Sequence, residues 1–234
     1  MPKFRYLALV AAGAMMLSPV GAAYASSAHQ AAKKPVLTLS KVGGKAAKKG
    51  AKVTAGLAKG TDLVATIGSG GKASCSKSAI TAKVTANPNS KGKATLSLTG
   101  DSISKCTISV TGFSGLTVTM KPVDLPADVT VSAAKGGGNV TISETKSSKP
   151  IGIEALVNAS SVGAGTLSCF FTAKSISGKV SNKTNSVKVS GAKLTLNTKL
   201  SGSSAALCGA VGSTAKLSVT YGPLKSGSKK VFVS

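Results

Sequence analysis

Apolar residues alternate with Ser, Thr or Lys over much of this chain. The stretches "PVLTLS", "KVTAGL", "LVATIG", "AITAKVTA", "KATLSLT", "CTISV" and "LTVTM" come first. "DVTVS", "NVTIS", "IGIEALV", "TLSCFFTA", "SVKVS", "KLTLNT", "KLSVTY" and "KVFVS" follow. A period of two puts apolar side chains on one face of a pleat and polar ones on the other, so these stretches predict half-buried strands. Gly, Asn and Ser breaks separate them: "GSGG", "NPNSKG", "KGGGN", "SSKP", "SNKTN" and "SGSS". One strand roughly every ten residues, with β-branched side chains dominating, predicts antiparallel sandwiches. No stretch carries an apolar stripe at helical spacing. "KAAKKGAK" (residues 45–52) comes nearest, and Gly50 with the strand behind it makes it a charged turn.

The first 25 residues break the pattern. Lys3 and Arg5 precede the apolar run "YLALVAAGAMMLSPVGA", and Ala23-Tyr24-Ala25 offers a cleavage site after Ala25. That is the form of a secretory signal peptide (1–25). For a bilayer span the run is short, and Pro19 interrupts it. No second long apolar run follows, so the expectation is export without a transmembrane segment. Residues 26–34 have little to bury and read as a flexible lead. "KPVDLPADVTVS" then sets Pro122 and Pro126 close together. Such a pair suits a connector and divides the remainder into halves 35–127 and 128–234.

The halves echo one another. "KASCSKSAITAKV" (72–84) and "TLSCFFTAKSISGKV" (166–180) each lead from a Ser-Cys pair to a Lys-Val. "CTISVTGFSGLTVTMKP" and "CGAVGSTAKLSVTYGP" each run from a cysteine, through a Gly and a break, to an alternating strand and a proline. The four cysteines, Cys75, Cys106, Cys169 and Cys208, allow three pairings. The repeat favours Cys75–Cys106 and Cys169–Cys208, one pair per half. Exported proteins keep such bonds. A metal site would need closely spaced ligands or histidines; no two cysteines are near in sequence, and the one histidine, His29, lies in the lead. No metal or cofactor is expected. The expected fold is all-β: two related immunoglobulin-like antiparallel β-sandwich halves, standing apart or fused into one larger sandwich, each with one disulfide.

Composition adds a function class. Trp is absent, and beyond residue 25 the aromatics are Phe113, Phe170, Phe171, Tyr221 and Phe232. The core must be filled by Val, Ala, Leu and Ile and gains from cross-links. Thirty Lys and Arg stand against six acids, a formal charge of +24. Arg5 is the sole arginine, and without Lys3 and Arg5 there remain 28 lysines, a net charge near +22. An excess this large attracts polyanions. Specific nucleic-acid readers use the arginine fork and aromatic stacking, and this chain has almost neither. Tyr221 is a lone candidate for stacking on a sugar. Lysine, a mobile point charge, suits a diffuse anionic cell-wall polymer or polysaccharide. The candidate polyanion-binding residues are the clusters Lys45, Lys48, Lys49 and Lys52, and Lys225, Lys229 and Lys230.

No catalytic signature accompanies the charge. Asp124 and Asp128 flank the prolines, while Glu144 and Glu154 straddle "SSKP" and would have to face each other across a hairpin to act as a pair. Serine chemistry would need His29. "GSGGK" and "KGGGN" lack the helix that a phosphate-cradling loop leads into. No enzymatic activity is expected.

Together the signal sequence, "LTLSKVGG", the spaced Ser-Cys pairs, the strands "LTVT" and "LSVTYGP" and the terminal "VFVS" resemble a family of secreted proteins from Streptomyces-like actinobacteria. That family has about 200 residues, two cysteine pairs and no assigned activity. The resemblance implies an exported bacterial β protein with two cystines and carries over no catalytic residues. The reading is of a non-enzymatic protein of the cell surface or medium, held to anionic polymer by its lysines. The alternative is a structural or adhesive surface module with a specific protein partner.

Overall fold

A computed structural model describes residues 34–68, 70–88, 92–145 and 150–234. The expected signal peptide and all of the lead but Lys34 lie outside the described residues. The alternating stretches form strands β1 (Leu37–Leu39), β2 (Lys45–Ala46), β3 (Lys52–Gly56), β4 (Leu63–Ile67), β5 (Gly71–Ala86), β6 (Lys93–Val110), β7 (Thr117–Val123) and β8 (Ala127–Ala134). They continue with β9 (Gly137–Ser143), β10 (Ile151–Asn158), β11 (Thr166–Ala173), β12 (Ser175–Ser181), β13 (Ser186–Leu196), β14 (Thr214–Tyr221), β15 (Lys225–Ser226) and β16 (Lys229–Val233). In β10 the outcome of alternation is plain: Ile151, Ile153, Ala155 and Val157 are buried and the residues between them are not.

Eight strands close on themselves in the order β4–β5–β6–β8–β9–β12–β13–β14 and back to β4, every pair antiparallel. This closed barrel with additional strands replaces the two immunoglobulin-like sandwich halves expected. The boundary placed at 127/128 falls at the start of β8, a barrel strand. Its neighbour β6 lies before that boundary and pairs with it from Lys93↔Ser132 to Leu98↔Ala127. Of "KPVDLPADVTVS", only residues 124–126 lie between β7 and β8, a tight turn. Closure needs strands that bend. Register shifts at Thr81/Ala82 and Val84/Ala86 interrupt the β5–β6 ladder, and another at Val189/Ala192 interrupts β13–β14. Such bulges increase local twist and turn a sheet's direction. Closure also removes exposed edges.

Two smaller sheets complete the fold. In one, β10 lies between β7 and β11, and β11 joins the end of β13 through Phe171↔Leu196. Its apolar face, including Met120, Ile151, Ile153 and Phe171, is buried in the common core. Met120 Sδ lies 3.2 Å from Cys75 Sγ of the barrel. At Gly152 the strands come so close that a Cβ would collide with the Phe171 carbonyl oxygen. The other sheet runs β2–β1–β16–β15–β3 and joins the barrel through β3–β5. Asn182 pairs with Val233 through both its amide nitrogen (2.7 Å to the carbonyl) and its carbonyl oxygen (2.9 Å from the N–H). Asn185 donates to the Val231 carbonyl at 2.6 Å. These side chains occupy backbone groups on the open side of β16.

Both disulfides have the expected partners, Cys75–Cys106 and Cys169–Cys208. Their settings differ. Cys75 and Cys106 face each other across the β5–β6 ladder, whereas Cys169 on β11 reaches a helical segment, α1 (Thr198–Ser201) and α2 (Ala205–Val211). The sequence predicted a break there. The segment has no apolar stripe: Leu200 and Leu207 are exposed, and buried Cys208 attaches it. The second strands of the two echoes diverge as well, since β14 is part of the barrel and β7 is not.

Candidate polyanion-binding surface

Every lysine among the described residues is exposed. The ladder registers show how they are grouped. Four pairs stand directly opposite on neighbouring strands: Lys52↔Lys83, Lys225↔Lys230, Lys179↔Lys188 and Lys193↔Lys216. Directly opposed like charges destabilise a sheet. Side chains that splay outward and screening by salt, about 8 Å at physiological strength, reduce the penalty. A polyanion laid across the pairs would reverse its sign.

The first two pairs are neighbours. Lys225 also stands opposite Thr54, two residues from Lys52 along β3, and residues two apart share a face. Lys52, Lys83, Lys225 and Lys230 therefore form one cationic face across β5, β3, β15 and β16. Of the residues expected from sequence, Lys52, Lys225 and Lys230 come together here. Gly50 N–H donates to the Val84 carbonyl at 2.8 Å, which places the turn carrying Lys48 and Lys49 against β5 beside Lys83. Lys229 stands opposite Ser226. Lys45 lies on β2, the outermost strand of that sheet, opposite Leu39.

A second grouping was not anticipated as a site. Lys179 and Lys188 separate two open grooves on the barrel's exterior. One, of about 480 Å³, is lined by Lys59, Ser181, Thr184, Ser186 and Thr220 as well as the pair. The other, of about 630 Å³, adds Asn139, Thr141, Ser177 and Ser190. Each groove thus joins cations to a row of hydroxyl groups, and the second adds the Asn139 amide, a side-chain set that meets both the charge and the oxygens of an anionic polymer. Counting outward from the "SNKTN" turn would have paired Lys179 with Lys188. Nothing local brings in Lys59, which sits on the β3–β4 turn. That turn is tied to β14 by Ala58 N–H donating to the Thr220 carbonyl at 2.9 Å. A third cationic row runs Lys193, Lys216, Thr66, Lys72 across β13, β14, β4 and β5.

Glu144 and Glu154 do not meet across a hairpin: the strand before Glu144, β9, pairs with β8 and β12, and Glu154 of β10 accepts a 2.7 Å hydrogen bond from Ser168 Oγ. Tyr221 is 6 % exposed, so it offers no face to a sugar. Its hydroxyl lies 2.7 Å from Ser78 Oγ, which donates to Asp101 Oδ1 at 3.2 Å. Burial pushes the Asp101 carboxyl up from 3.8 to about 6, against the opposing effect of the Ser78 hydrogen bond. Burial, and then the Asp101 charge, push the Tyr221 phenol up as well. Among the described residues no group of three His, Cys, Asp or Glu side chains is placed to hold a metal ion, and no helix is long and apolar enough to cross a membrane. No family model, curated protein or solved structure matches the chain.

Proposed function

We propose that this is an exported, non-enzymatic protein that associates with an anionic polymer of the cell wall or an acidic polysaccharide. The observation carrying the proposal is the set of four directly opposed lysine pairs, two of them adjacent and a third between hydroxyl-lined grooves. A sheet gains nothing by itself from such pairs, and an anionic ligand relieves them. The two disulfides and the apolar N-terminal run support export. The resemblance to secreted actinobacterial proteins belongs to the same reading.

The test is a salt titration with poly(glycerol phosphate), polygalacturonate and a neutral glucan immobilised in parallel. Binding to the acidic polymers should weaken linearly as log salt rises, as counterion release requires, and the glucan should not bind. The double variant Lys179→Gln/Lys188→Gln should show a shallower salt slope. Absence of binding at low salt refutes the proposal. Capture from culture medium that survives high salt would favour the structural or adhesive module with a specific protein partner.

A further inference from the structure

A cavity of about 150 Å³ lies between the end of β6, the β10–β11 strands and α2. All seventeen of its lining residues are apolar. Ile108 and Val110 come from β6, Val157 from β10, Phe171 from β11 and Val211 from α2. Cys169 and Cys208 also line it, so the second disulfide ties the helical wall to the strand wall. Three of the five large apolar side chains exposed among the described residues line the cavity: Phe113 is 52 % exposed, Leu207 48 % and Val162 44 %. The loops bearing Phe113 and Val162 are held together, since Ser161 Oγ donates to the Ser114 carbonyl at 3.0 Å. Both walls are therefore preformed, which lowers the ordering cost of binding.

We infer that this pocket binds the hydrocarbon end of a free anionic amphiphile, a medium-chain carboxylate being the simplest case. An apolar cavity of this size accepts a benzene-sized guest, a hydrocarbon of about six carbons. The lining contains no polar side chain to receive a head group, so the head remains at the mouth. Outside, every lysine among the described residues is exposed, and lysines outnumber the acids of the chain. That field favours an anionic head over a neutral or cationic one. The pocket is a single concavity, which fits one dispersed molecule and not a bilayer surface. The inference stands apart from the polyanion reading, because the pocket and the grooves share no residue.

Calorimetric titration of the oxidised protein with straight-chain carboxylates of increasing length tests it. One-to-one binding should strengthen about fourfold per added methylene, the factor that burying one methylene supplies, and should level off once the cavity is full. Octanol and octyltrimethylammonium should bind more weakly than octanoate at low salt. Ala210→Trp fills the pocket from an exposed helical position and should abolish binding; Leu207→Ser, which leaves the interior intact, should weaken it. Retention of the polymer binding by both variants separates this site from the lysine surface. No saturable octanoate binding, binding unchanged in both variants, equal binding of all three head groups, or uptake from vesicles alone would each overturn the inference. So would a dimer that Leu207→Ser dissociates, because a second copy would then be the occupant.

Discussion

Replacing Asp101 with Asn isolates the energetic cost of one half-buried charge. In the folded protein Asp101 holds its proton up to about pH 6, against the ordinary 3.8. The gap corresponds to about 3 kcal/mol, an upper figure because the side chain is only half-buried. Below pH 3.8 the carboxyl is neutral in both folded and unfolded chains and costs nothing. Between 3.8 and 6 the unfolded chain ionises first, so the folded state loses stability as pH rises; above 6 the full cost is present. Asn is neutral throughout, and its carbonyl can still accept from Ser78 Oγ. Asp101→Asn should therefore change stability by less than about 1 kcal/mol at pH 4 and stabilise by up to about 3 kcal/mol at pH 8. Urea unfolding at both pH values, with disulfides intact and equal slopes, measures the difference directly. An equal effect at the two pH values, or destabilisation at pH 8, would refute the assignment of the raised pKa to burial.

Gly152→Ala should destabilise by about 1–3 kcal/mol, because its Cβ would meet the Phe171 carbonyl oxygen; a urea midpoint checks this. Replacing Cys169 and Cys208 by Ser should cost up to about 4 kcal/mol in the chain-entropy treatment of a 39-residue separation. In the same variant, hydrogen exchange should lose protection around residues 198–211 before the barrel does. Tyr221→Phe should cost about 1 kcal/mol, the net value of an ordinary buried hydrogen bond, read by thermal or urea unfolding. Lys52→Gln or Lys188→Gln should raise the urea midpoint at 10 mM salt and leave it unchanged at 1 M, since each removes one side of a like-charge pair; equal gains at both salts would deny that the pairs repel.

Much of the secondary structure was legible because alternation is a local signal. β10 and β14 match their stretches almost residue for residue. β5 proved longer than expected, and β6 joins the two strands expected at "KATLSLT" and "CTISV", since "GKASCSKS" and "GDSISK" carry small polar residues whose pairing depends on one another across the ladder. β12 was missed, its Gly178 standing where a side chain would crowd Lys188 and Val189. The helical segment was illegible because a disulfide and not an apolar stripe holds it. At the candidate surface, the hairpin pairs Lys179–Lys188 and Lys225–Lys230 could be found by counting from their turns. Lys52–Lys83 and Lys193–Lys216 could not, because their strands meet across loops of unrelated length.

The sequence by itself determined most of the strand content, the cystine partners and the cationic exterior. Each rests on near neighbours in the chain or on simple counting: side chains alternate about a pleat, a repeat orders its cysteines, and lysine must stay in water. Only the tertiary structure decided that the strands close into one barrel, that particular lysines stand opposed, and that an apolar pocket opens beside α2. The closing ladder joins β4 to β14, some 150 residues later. Its register depends on how bulges bend β5, β6 and β13 and on which apolar faces then fit, a match among distant surfaces that no local pattern encodes.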